Sequence, residues 1–211
     1  MHYAPHPQDP YAPYRAQGLD PSAFDTTGHH PQARIWIVLV GLLSGALYVL
    51  GMGGIVYGMV GGSRGGLPAS VMVGWCAMML GAMFIYVKLG IALYWLHGAW
   101  KWVPMDQRVS SEGKRFSPGD VFMLLIPYYN LYWMFPVNMS LCDVMERLRA
   151  SWVREPRIDP PPRDTAMWAA ISELLPLANF FIAPLLWASY MRRIDNMHEE
   201  IMNVAAAGAG K

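Results

Sequence analysis

The chain has 211 residues, 54% of them hydrophobic and 15% charged, with a formal net charge of +1. That balance is too apolar for an ordinary water-soluble domain, and it offers no electrostatic basis for a nucleic-acid or strongly acidic partner. The two cysteines, Cys76 and Cys142, make neither a disulfide framework nor a zinc site, and both read as small apolar fillers.

Residues 1–33 are rich in Pro, Tyr, His and Gln and carry no periodic apolar pattern, so a disordered cytoplasmic tail is expected. They hold His2, His6, His29 and His30, but without Cys or clustered carboxylates these read as solvated rather than metal-binding. With no apolar core in this stretch, a cleavable signal peptide is not expected, and insertion falls to the first hydrophobic segment.

That segment, residues 35–61, is entered through Arg34 and Trp36, a charge beside an interfacial indole. Gly41, Gly45, Gly51, Gly54, Gly58 and Gly61 recur at helical spacing along it. Such a stripe lets another helix approach closely, either the second span or another protomer, and implies a protein partner or homo-oligomer. A short Gly-rich loop then returns the chain into residues 70–103, giving an antiparallel transmembrane hairpin. A helix that long reaches about 50 Å, beyond a hydrocarbon core of about 30 Å. It is therefore expected to tilt or to emerge at its aromatic end, around Tyr94, Trp95, Trp100 and Trp102. Lys88 lies inside it, either snorkelling to the interface or marking a functional site.

After a basic loop comes Ser117–Pro136, whose apolar segment 119–139 is interrupted by Pro127 and Asn130. A proline removes a backbone donor, and an asparagine competes for local backbone. Leu141, Val144, Met145, Leu148 and Trp152 then share one face of an amphipathic helix. Beyond a proline-rich linker at 155–164, the last apolar segment, 166–191, is broken at Pro176, with Asn179 following, and again at Pro184. A second amphipathic helix carries Met191, Ile194, Met197 and Ile201, and residues 205–211 are expected to fray. The fold class is thus all-α integral membrane: a transmembrane hairpin plus two proline-broken segments, re-entrant or kinked and spanning, each followed by an amphipathic helix.

Charge favours re-entry. Four full spans would place Arg64, Arg147, Arg149, Arg154, Arg157 and Arg163 outside, whereas re-entry leaves only Arg64 there. Both termini are then cytoplasmic.

The run Trp100, Ser117-Pro118-Gly119, Ile126-Pro127, Asn130-Leu131, Tyr132-Trp133 and Pro136 resembles an uncharacterised group of bacterial multi-pass membrane proteins. The resemblance implies the bacterial cell inner membrane and no particular activity. Asp120 departs from the group's pattern, which has an apolar or small residue there.

No phosphate-binding loop, zincin motif or nucleophile context is present, so neither an enzyme nor a cofactor is expected. Glu173, three positions before Pro176, is the most informative ionisable residue: it could hold a cation or proton at the break, pair with Lys88, or lie at the membrane surface with its run half inserted, the placement that re-entry favours. His97 and His198 read as surface residues. Two functions remain. One is an accessory or structural subunit of a membrane complex, in contact with lipid and a protein partner. The other is a small transporter or channel with a site at the breaks, built from Asn130, Asn179, Glu173 and Lys88.

Overall fold

A computed structural model describes residues 24, 32–61, 69–110, 113–126, 128–153 and 163–209. Pro127, the tail histidines and most of the proline-rich linker lie outside the described residues. The described chain is all-helical: α1 Ala33–Val60, α2 Ala69–Trp102, α3 Tyr129–Trp152, α4 Arg163–Glu173, α5 Pro176–Phe181 and α6 Ala183–Ala209. A 3-10 helix, Pro118–Leu125, precedes α3.

The chain divides into two compact units. One is formed by 30–96 and 164–191, the other by 1–29, 97–163 and 192–211. Boundaries fall inside α2 and α6 and after the first residue of α4.

In the first unit, α1 and α2 are the two helices long and apolar enough to cross a membrane. Many of their large side chains point outward, with Leu50, Val60, Met79 and Tyr86 all exposed, while the line along which they cross is built largely of small residues. Water would favour the reverse arrangement, and lipid permits this one, because close packing between backbones then supplies the attraction. A Cβ on Gly51 would sit 2.6 Å from the Gly74 carbonyl oxygen, and one on Gly74 would sit 2.6 Å from the Gly51 oxygen. Gly54 and Gly58 lie against Ser70 of α2, Gly45 against Phe180 and Phe181, and Gly41 against Pro184. Gly61 meets only its own Tyr57 carbonyl, as the C-cap of α1. The face offered to a second span or another protomer is therefore filled inside the chain. Ser44 adds a hydrogen bond across it, donating to the Gly81 carbonyl at 2.6 Å.

Helix α2 is unbroken, as its apolar run implied, but its aromatic end is not an interfacial belt. Trp95, Trp100 and Trp102 are buried in protein, and Tyr94 alone of that group is exposed. Cys142 is the buried filler expected, whereas Cys76 is exposed on α2.

In the second unit, Ser117 and Asp120 form a capping box at the start of the 3-10 helix. Asp120 Oδ2 accepts from the Ser117 amide at 2.7 Å, the Ser117 hydroxyl accepts from Gly119, and Pro118 occupies the first turn, where no donor is needed. The Asp120 that departs from the family-like pattern thus ties down the helix entry. Helix α3 buries Leu141, Val144, Met145 and Leu148 as its periodicity requires, while Trp152 is half-buried. Pro136 lies inside α3 without ending it. Helix α6 buries Ile194, Met197 and Ile201 and continues to Ala209, through residues expected to fray, with Ala205 buried. His198 is also buried rather than on the surface, its ring edge-to-face with Trp102 at 4.2 Å.

Candidate functional site

The last apolar segment does not form one helix. Helix α4 ends at Glu173, Leu174 and Leu175 turn, and Pro176 opens α5 in its first turn. There the missing N–H costs nothing, so this proline starts a helix rather than bending one. Pro184, in the first turn of α6, likewise has no N–H for the Phe180 carbonyl. The break leaves carbonyl groups at the end of α4 without helical partners. In an apolar surround each such group needs a replacement.

The Leu174 and Leu175 amides meet the Ile171 and Ser172 carbonyls at 3.0 and 3.3 Å, and Asn179 Nδ2 donates to the Glu173 carbonyl at 3.0 Å. Lys88 reaches the next turn from α2. Its Nζ donates to Glu173 Oε2 at 2.9 Å, to the Asn179 carbonyl at 3.0 Å, and to Asn179 Oδ1. The Lys88 side chain is 5% exposed and that of Glu173 21%. Lys88 therefore does not snorkel. Its stem passes Gly41 of α1, where an added Cβ would come within 3.6 Å of Lys88 Cδ.

An ammonium has three donors. All three are taken by Glu173 and Asn179, so the group has no donor left over for a bound ligand. What the arrangement can do chemically follows from that: it neutralises a buried charge, stitches the end of α4 to the start of α5, and fastens both to α2.

Of the residues singled out in the sequence, Lys88, Glu173, Pro176 and Asn179 come together. Asn130 belongs to the other unit, in the first turn of α3, where its amide donates to the Ile126 carbonyl at 3.0 Å. The two Pro-x-x-Asn stretches are thus built differently: the first follows a 3-10 helix and leads into one long α-helix, the second joins two α-helices through a short third. His97 is half-buried and hydrogen-bonds the Pro118 carbonyl at 3.0 Å. Among the described residues no cluster of three or more His, Cys, Asp or Glu could hold a metal ion.

Sequence reasoning missed Ser44, for which spacing gives no signal. It also missed Gly74 and Gly81, which do carry one, being seven apart on one face of α2 opposite the α1 stripe. No protein-family model, curated protein or solved structure matches the chain.

Proposed function

We propose that the chain is a structural or accessory subunit of a membrane complex, seated in the bacterial cell inner membrane with both termini cytoplasmic. The observation that carries this reading is the saturation of the Lys88 ammonium by Glu173 and Asn179. A transport site needs ligating groups that are free or exchangeable, and here Lys88 is spent on Glu173 and on the broken backbone. The outward apolar faces of α1 and α2 support a membrane location, and the arginines between α3 and α4 support cytoplasmic termini with the later segments re-entrant or interfacial. Because the glycine stripe is filled within the chain, a partner protein or second copy would meet the outer faces instead.

A second reading, a small transporter or channel, draws on one observation: a buried lysine–carboxylate pair at a helix break is where such proteins place coupling groups. Proteoliposomes separate the two. For a subunit, proton and monovalent-cation leak stays at the protein-free level, and Lys88→Met/Glu173→Gln still migrates with the wild-type complex on native gels. A flux carried by the wild type and lost in the double variant would refute the subunit reading.

A further inference from the structure

The surface around the first break is unlike a protein–water surface. In the 3-10 helix, Val121 and Leu124 face the core, while Phe122, Leu125 and Ile126 on the opposite side are exposed. Leu131 and Tyr132 extend the same apolar surface into α3, and from Val121 to Asn130 the sequence has no charged side chain. At the tip, Tyr128 is 87% exposed at φ 64° and ψ −41°, a backbone conformation that L-residues rarely adopt. The apolar exposure stops at Tyr132. Trp133, Met134, Val137 and Leu141 are all buried in the unit. Beside the patch, Lys114 and Arg115 are exposed, and Lys114 Nζ stands 3.9 Å over the ring of Trp133, on which Tyr129 stacks at 5.3 Å.

We propose that residues 122–126 and 128–132 form a bilayer-insertion wedge, with Tyr128 seated among lipid chains near headgroup depth and Lys114 and Arg115 held against anionic headgroups. The occupant is lipid rather than protein for three reasons. From Phe122 to Tyr132 the exposed side chains among the described residues are apolar or aromatic, with no charge for a polar partner to read. Its tyrosines are the residues that settle at a headgroup boundary. Its rim is cationic, complementary to an anionic leaflet. The proposal rests on the membrane reading above and sharpens it: insertion stops at Tyr132, so the segment 119–139 does not enter the bilayer as a whole.

The test uses the full chain carrying Cys76→Ser and Cys142→Ala, with one cysteine placed at Tyr128 or, as a control, at Leu50 of α1, each labelled with an environment-sensitive fluorophore. Each is reconstituted in phosphatidylcholine with or without phosphatidylglycerol. Quenching by acyl-brominated lipid, with protection from aqueous iodide, is expected at both positions. Quenching at 50 with iodide access at 128 overturns the wedge and leaves the membrane reading standing; lipid quenching at neither overturns both. Protection at 128 from both quenchers means that protein covers the tip, which also overturns the wedge. Phosphatidylglycerol should raise the inserted-to-lifted ratio by about fivefold per basic residue, and Lys114→Glu/Arg115→Glu should abolish that rise. An unchanged rise overturns the headgroup contact.

Discussion

Replacing Gly51 by alanine should loosen the α1–α2 crossing, and the size of the effect can be worked from two glycines on the same helix. The new Cβ would lie 2.6 Å from the Gly74 carbonyl oxygen and 2.6 Å from Met78 Cγ, against 3.4–4 Å for ordinary contact. The helices must therefore part by several tenths of an ångström, and overpacking of this kind costs about 1–3 kcal/mol. Gly53→Ala meets nothing within 4 Å. Both substitutions gain the same helix propensity, about 1 kcal/mol, so the gain cancels when the two variants are compared. Gly51→Ala should thus be less stable than Gly53→Ala by about 1–3 kcal/mol, while Gly53→Ala equals or exceeds the wild type. Unfolding in mixed SDS–maltoside micelles, followed by far-UV circular dichroism, measures the difference. Equal midpoints for the two variants would refute the glycine-to-glycine contact.

The Lys88–Glu173 pair should show strong coupling in a double-mutant cycle. Lys88→Met alone strands a buried carboxylate and should cost about 3–5 kcal/mol, whereas Lys88→Met/Glu173→Gln should cost much less. In the other unit, Phe24 is buried and stacks on Trp102 at 4.8 Å, with Trp152 edge-on at 5.9 Å. Phe24→Ala should therefore speed thiol labelling of buried Cys142 severalfold in a Cys76→Ser background, consistent with loss of an aromatic pair worth about 0.5–1.5 kcal/mol. Ser117→Ala removes one arm of the capping box and should cost about 1 kcal/mol, seen as faster hydrogen exchange at the Gly119 and Asp120 amides. Unchanged exchange there would show that the box does not hold the 3-10 helix.

How much of this was legible in the sequence depended on range. Hydropathy placed α1 and α2 within a residue or two of their ends, because burial in lipid and burial in protein both demand apolar residues. The same ambiguity holds at the aromatic end of α2: a tryptophan run reads identically whether it faces headgroups or, as with Trp95, Trp100 and Trp102, is buried in protein. Amphipathic periodicity located the buried faces of α3 and α6, since it is a local property. Pairings between distant residues left no such trace. Nothing between Lys88 and Glu173 states that they meet, and a glycine stripe says that something packs closely without saying what. The Ser117–Asp120 box was local and readable, yet Asp120 looked anomalous while it was compared with a pattern instead of being asked which backbone donor it could accept.

That question also orders the candidate site. A break in an apolar unit is a shortage of hydrogen-bond partners before it is anything else. Between Glu173 and Pro176 the helix stops, and the carbonyls it abandons need other donors: the Leu174 and Leu175 amides take Ile171 and Ser172, and the Asn179 side chain takes Glu173. In the next turn a lysine brought from α2 meets the Asn179 carbonyl while its charge is balanced by Glu173. Remove the break, and a buried lysine and carboxylate would lose the backbone acceptor and the asparagine that keep them saturated. Remove the lysine, and the break would hold a buried carboxylate with no counter-charge. Break, lysine and carboxylate are therefore one device, each removing the cost of the others. A ligand entering that site would first have to displace a donor that the fold itself requires.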